Sequence, residues 1–265
     1  MRRRVAGGGG LMAGDNKALA GESMVDVRYA AGVQIGDKNQ QINIYSAARV
    51  VSWPVTVGRA PLLADAFQSR PTLQAAVAHR HGSVVITQVA TGDGGTGKTQ
   101  LAAAAFREAL PGVQVAAWVS ATSRDALVSA YSQVWEQLRP DQSDLAARDA
   151  ERDAVALLAW LETTDRAWLI VLDDIQDPVD LRGLWPTGPT GQVLATSRRR
   201  DVALIGHGRS VVDVGVFTPL EAKEFLARKL ADSQLPDVLD QAEGLAADLG
   251  YLPLALSPDP PIGFP

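Results

Sequence analysis

The sequence predicts an α/β fold: a parallel sheet with helices on both faces, followed by a small helical unit. Three observations carry this. From residue 83 onward, short apolar runs alternate with amphipathic or alanine-rich segments. One run leads into a glycine-rich turn that opens a helix, GDGGTGKT at 92–99. Another, LIVLDD at 169–174, is an apolar strand ending in acid. Short, nearly continuous apolar runs are the pattern of strands buried on both faces. Strand–helix alternation then lays such strands parallel, through right-handed crossovers.

The chain has 265 residues, 46% hydrophobic, with a formal net charge of −5 and no cysteine. Its length suits one sizeable core, or one core with a small satellite. Mild acidity gives no electrostatic footprint for nucleic acid. Without cysteine there is no disulfide framework and no thiolate metal site, and cytoplasmic residence is the expectation. No apolar run reaches the roughly 18 residues of a membrane span. The start, MRRRVAGGGGLMAG, has a basic lead but glycines where a signal peptide carries its apolar stretch. Translation from Met12 or Met24 stays an open alternative.

Residues 1–31 are rich in Gly, Ala and Arg without periodicity, and are expected to be a disordered leader. A β-pattern follows at 32–46. In GVQIGDKNQQINIY the arms Val33-Gln34-Ile35 and Ile42-Asn43-Ile44 flank a Gly-Asp-Lys-Asn turn. Residues 47–82 form a connector with a helix over PTLQAAVAHR, Pro71 standing in the first turn. The sheet unit, 83–215, begins with a strand at 83–90. The alanine-rich helix KTQLAAAAFREAL comes next, stopped by Pro111-Gly112. Strand VQVAAWVS precedes a helix with Leu127, Val128, Tyr131, Val134, Trp135 and Leu138 on one face. Another helix, VALLAWLE, leads to the strands WLIVLDD and GQVLATS, and RSVVDVGVF is a candidate fifth strand. In the helical unit, 216–256, Thr218 to Glu221 make a capping box with Pro219 at the first helical position. That helix should run to about Ala231, with another over PDVLDQAEGLAADLG and a Pro-rich tail at 257–265. The scattered tryptophans suit core positions, and His79, His81 and His207 lack ligand spacing.

The chemistry centres on GDGGTGKT, which fits G-x-x-x-x-G-K-[ST]. Gly92, Gly94, Gly95, Thr96 and Gly97 let the backbone curl so that successive N–H groups face one anion. The helix that starts there adds its positive end, with Gln100 in its first turn. Lys98 reaches the β- and γ-phosphates of a nucleotide, and the Thr99 hydroxyl suits Mg²⁺. At the end of LIVLDD, Asp173 is the candidate second Mg²⁺ ligand, and Asp174 the group that orients or deprotonates water. VLATSRRR ends at the same sheet edge, where Thr196, Ser197 or Arg198 is placed to sense a γ-phosphate. Arg199 and Arg200 fit a solvated turn.

In order, TGDGGTGKTQLA, VAAWVSA, WLIVLDD, QVLATSR and LGYLPLAL resemble the NB-ARC family of signal-transduction ATPases, over roughly 47–256. The resemblance implies ADP/ATP binding, a P-loop NTPase sheet of strand order 5-1-4-3-2 and a partial helical ARC domain. It also implies nucleotide-state switching, with slow Mg²⁺-dependent hydrolysis at most. It carries the adenine-contacting role onto Pro253 in GYLPL, and the sensor role onto Arg198. The family's adenine-side loop reads like F-x-G-R; Phe67-Gln68-Ser69-Arg70 and Val57-Gly58-Arg59 both compete for it. After Leu256 the family continues through a winged helix. Here SPDPPIGFP follows, and its prolines forbid an extended helix. A truncated or frame-shifted product, or a natural fragment, is expected.

Val33-Gln34-Ile35-Gly36 is similar to the tetrad of RIP homotypic interaction motifs and to related bacterial amyloid-signalling motifs. That implies self-association through 32–45, with an effector sharing the motif, in bacterial stress, antiphage or cell-death signalling. Alternatives are an ATPase-linked transcriptional regulator, a metabolic P-loop enzyme, or a seed or decoy fragment without ATPase activity.

Overall fold

A computed structural model describes residues 33–35, 40–42, 51–78, 82–88, 95–139, 149–206, 208–230 and 238–257. The chain divides into two compact units, 1–47 and 48–265.

In the first unit, β1 (Val33–Ile35) pairs antiparallel with β2 (Gln40–Ile42), in register Val33↔Ile42, Gln34↔Gln41 and Ile35↔Gln40. The first arm lies where the sequence places it. The second strand begins two residues before the expected arm Ile42–Ile44. Gln40 stands opposite Ile35, so pairing starts there. Asn43 and Ile44 are outside the described residues, as is the leader 1–31.

The second unit is a six-stranded parallel sheet of β3 (Val55–Val57), β4 (Gly82–Gln88), β5 (Val115–Ser120), β6 (Trp168–Ile175), β7 (Gly191–Ser197) and β8 (Ser210–Val214). The order is β3-β5-β6-β7-β4-β8. Read from the β8 edge, the strands from β4 onward give 5-1-4-3-2, as the resemblance implies. The short strand β3 is an addition beside β5, in a stretch expected to be connector. Two β-branched valines flank Thr56 there, and the Val55 N–H donates to Gln114 O at 2.8 Å.

Seven α-helices occur among the described residues: α1 (Pro71–Ala78), α2 (Lys98–Ala109), α3 (Arg124–Leu138), α4 (Ala150–Thr163), α5 (Pro219–Lys229), α6 (Val238–Asp248) and α7 (Pro253–Leu256). Strand alternation decides which face each residue joins. Val84, Ile86, Leu169, Val171 and Leu194 pack with Leu101 and Phe106 of α2 and Val77 of α1. Val85, Ile170, Leu172, Val193 and Ala195 pack on the other face, with Leu127, Tyr131 and Val134 of α3 and Leu157 and Leu161 of α4. Each such Val, Leu or Ile contributes about 1.5–3 kcal/mol by leaving water. Trp168 is fully buried, its indole N–H donating to Leu161 O at 3.2 Å, and the other tryptophans pack partly buried against the two cores.

Helix starts follow local chemistry. Ser123 caps α3 and Asp149 caps α4 by accepting first-turn N–H groups. Thr218 and Glu221 form the expected reciprocal box on α5. Phe217, just before that cap, packs with Ala222, Phe225, Ala246 and Leu256 in a third apolar cluster, which also takes in Ala66. The helical segment therefore has its own small core. The connector runs along α2: Ala64 N–H donates to Gln100 Oε1 at 2.8 Å, Gln100 Nε2 donates to Leu62 O at 3.1 Å, and Arg107 donates to Pro61 O.

Candidate functional site

A cavity of about 520 Å³ opens where the C-terminal ends of β6, β7 and β8 face the start of α2. Gly97 caps α2 with φ 89, and Gly95 has φ 84. Both lie in the left-handed region that a side chain disfavours. A Cβ on Gly95 would also lie 2.6 Å from the Leu254 Cβ. Leu254 N–H donates to Gly95 O at 3.1 Å, so α7 is clipped onto the glycine loop itself. Pro253, at the first position of α7, lines the same cavity. Gly92 and Gly94 are outside the described residues.

Thr96 and Lys98 are buried, and Lys98 Nζ lies 3.5 Å from Thr96 Oγ1. Burial pushes the Lys98 ammonium below its ordinary range, and Arg198 pushes the same way; Asp174 and Asp173 oppose both. A cation held out of water in this way favours an anion beside it.

Asp173 Oδ1 receives two hydroxyls, Thr99 Oγ1 at 2.9 Å and Thr196 Oγ1 at 2.7 Å. Asp174 Oδ1 faces Arg198 Nε at 3.4 Å, and Asp174 Oδ2 accepts from Gln176 Nε2 at 2.7 Å. Lys98, Thr99, Asp173, Asp174 and Arg198 all line the cavity. Thr196 lines it too, but its hydroxyl is already committed to the two acids. Ser197 is buried and donates to Ile175 O at 3.0 Å. Arg200 pairs with Asp213 at 2.7 Å, and the weaker Arg199–Asp201 contact is 3.7 Å, so the basic turn is braced as well as solvated. Gln100 also lines the cavity, although its amide holds the connector.

An oxygen set of this kind, a carboxylate with a neighbouring hydroxyl, fits a hard divalent cation that shares its ligands with a phosphate. Among the described residues no group of three or more His, Cys, Asp or Glu could hold a metal.

The rest of the cavity is apolar. Phe67, Phe217, Phe225 and Val214 line it, with the Phe217 and Phe225 rings 5.5 Å apart. Phe67, Gln68 and Arg70 belong to the lining, whereas Val57, Gly58 and Arg59 sit on and after the far edge strand. Arg70 is fully engaged: Nε to Glu221 at 3.0 Å, Nη1 to Gly215 O at 3.0 Å and Nη2 to Val216 O at 3.1 Å. It holds the connector to the β8–α5 junction. Buried Gln68 donates to Glu224 at 2.7 Å and accepts from Arg228. Sequence reasoning missed Phe217 and Phe225. The signal was an aromatic residue just before a capping box, which packs back on its helix as a staple.

Among curated proteins, the chain is 30% identical over 189 residues to the regulatory protein AfsR of Streptomyces griseus. The match covers 68% of this chain and 18% of AfsR, so the chain spans under a fifth of that relative. Among solved structures, it is similar to a signal transduction ATPase with numerous domains from Pyrococcus horikoshii, which has a tetratricopeptide repeat sensor. That likeness has 23% identity and a TM-score of 0.49, and covers 74% of this chain and 30% of the other. The Aeropyrum pernix ORC2 protein in its ADP form is similar at 19% identity and a TM-score of 0.45, over 70% of this chain and 57% of that one. Residues 77–235, more than half of the chain, match the NB-ARC domain, and the chain belongs to that family.

Proposed function

We propose that the chain is an ADP/ATP-binding signal-transduction switch. The observation that carries the reading is the convergence of buried Lys98, Thr99 and Asp173 at a left-handed glycine loop, beside an apolar recess. Phosphates lie against the loop 92–97 and Lys98. Thr99 and Asp173 would hold Mg²⁺, which would supply positive charge to the phosphate oxygens. Arg198 senses the γ-phosphate, Asp174 orients water, and the base lies near Pro253. Turnover is slow, and the nucleotide state is the signal.

The working parts are a nucleotide-binding unit at 83–215 and a partial helical ARC unit at 216–256. Their coupling runs through the Leu254–Gly95 hydrogen bond, which ties the helical part to the phosphate loop. The output is self-association through 32–45, shared with an effector that carries the same motif, in bacterial stress, antiphage or cell-death signalling. Support for it is the antiparallel pairing of Val33-Gln34-Ile35 with Gln40-Gln41-Ile42, which leaves a short, amide-rich hairpin for stacking. No helix among the described residues is long and apolar enough to cross a membrane.

ADP titration of the full chain tests the site. Lys98→Ala should weaken binding about 10- to 100-fold, the loss of a charge-assisted contact. Tight binding indifferent to the change would contradict it. Similarity to AfsR favours a second reading, an ATPase-linked regulator. Specific DNA retention by the purified chain would support that reading instead.

A further inference from the structure

Two consecutive residues of a regular strand point to opposite faces of its sheet. Asp173 and Asp174 are consecutive, yet both line the cavity. The cause is a bulge between β6 and β7. Leu172 pairs with Ala195 and Ile175 pairs with Ser197, so Asp173 and Asp174 stand opposite the single residue Thr196. The packing records the extra residue: Leu172 and Ile175, three apart, share one core. Asp174 takes the added step in the left-handed region, at φ 60. For a residue with a side chain this is unfavourable unless its surroundings impose it.

Thr196 imposes it. Its side chain is buried, at 1% exposure. The hydroxyl accepts the Asp174 backbone N–H at 2.8 Å and donates its one proton to Asp173 Oδ1 at 2.7 Å. A hydroxyl has one donor, so the direction of both bonds is settled: a backbone N–H only donates and a carboxylate oxygen only accepts. The same group therefore fixes the backbone of one acid and the carboxylate of the other.

Resting on the nucleotide reading above, we infer that Thr196 is a positioning residue that locks the bulge and aims both acids at one cation-and-phosphate site, rather than a sensor of the phosphate. To contact a phosphate it would have to release Asp173. Arg198, whose side chain is more than half exposed, meets Asp174 through Nε alone, at 3.4 Å.

The test is ADP affinity of the full chain, by calorimetry, in EDTA and across a Mg²⁺ series. Thr196→Val keeps the shape and removes both bonds, Thr196→Ala removes them without bulk, and Thr196→Ser keeps the hydroxyl. Mg²⁺ should tighten binding in the parent and in Thr196→Ser. Thr196→Val and Thr196→Ala should lose about tenfold or more of that tightening, the usual scale for a partner that orients a metal ligand. Their metal-free ADP affinity should stay within about twofold of the parent, which also reports that they fold. Full Mg²⁺ tightening in Thr196→Val or Thr196→Ala overturns the inference, as does a Thr196→Ser that behaves like Thr196→Val. Equal loss of metal-free ADP affinity in both hydroxyl-less variants also overturns it, because a general scaffold would give that result; so does a metal-free loss of ATP affinity alone, measured alongside, because a γ-phosphate sensor would give that. A parent chain that binds no ADP refutes the nucleotide reading itself, a separate outcome.

Discussion

Lys98 is a cation held out of water between Arg198 and two carboxylates, and its proton affinity follows from that setting. Its pKa lies below the ordinary 10.5. Between the lowered value and 10.5 the unfolded chain binds more protons than the folded one, so Lys98 makes folding more favourable as pH rises through that window. A phosphate beside it acts the other way and restores the proton. Nucleotide binding should thus take up protons at alkaline pH, and affinity should fall as pH rises. Calorimetry in two buffers of different ionisation enthalpy reads this directly; uptake that persists in Lys98→Ala would contradict it. A second residue tests the core. Burial pushes the Tyr131 phenol far above its usual range, and its hydroxyl donates to Leu184 O at 2.9 Å. Tyr131→Phe leaves that carbonyl without its partner and should cost roughly 1–3 kcal/mol in a denaturant titration. Lys98, Thr99 and Asp173 were legible in the sequence because each sits in a contiguous motif whose spacing reflects one local geometry. The role of Thr196 was not. It depends on which residue of β7 faces the end of β6, a register that no local pattern of either strand contains.

At the scale of elements, every helix with a clear cap and every apolar run in the sheet unit was legible, because periodicity and caps are local. Strand β3 was missed, since three residues give too short a pattern to separate strand from connector. The end of α5 fell at Lys229, close to the expected Ala231. The capping box there does more than start a helix, because Glu221 also binds Arg70 and so ties the connector to it. Thr218→Ala should cost about 1 kcal/mol of stability. Thermal unfolding checks this, and an unchanged midpoint would contradict it. For β1 and β2 the prediction concerns assembly. A peptide of 32–45 should form fibrils with a cross-β spacing near ~4.7–4.8 Å, and Gln34→Ala or Gly36→Pro should prevent them. A peptide that stays monomeric in fibre diffraction and light-scattering assays would reject the role given to this hairpin.

Within the second unit, connector, sheet and helical segment meet at one cavity. Its polar side comes from strand ends and the glycine loop, and its apolar side from the connector and the helical segment. The parallel sheet and its order were legible from the alternation of elements and from the family resemblance. On the apolar side the family resemblance pointed to Phe67 and Pro253 but not to Phe217 and Phe225, which join them only after the connector docks on α2 and α7 clips onto Gly95. A ligand that fills both sides would touch both segments, which is the proposed route from occupancy to a conformational signal. In the proposed switch, nucleotide decides when copies of 32–45 meet. Sedimentation of the full chain with ADP, with ATP and with neither tests it, beside Lys98→Ala and a chain lacking 32–45. The assembled fraction should differ between ADP and ATP, lose that difference in Lys98→Ala, and vanish without 32–45. Assembly that ignores the nucleotide, or survives the deletion, would contradict it.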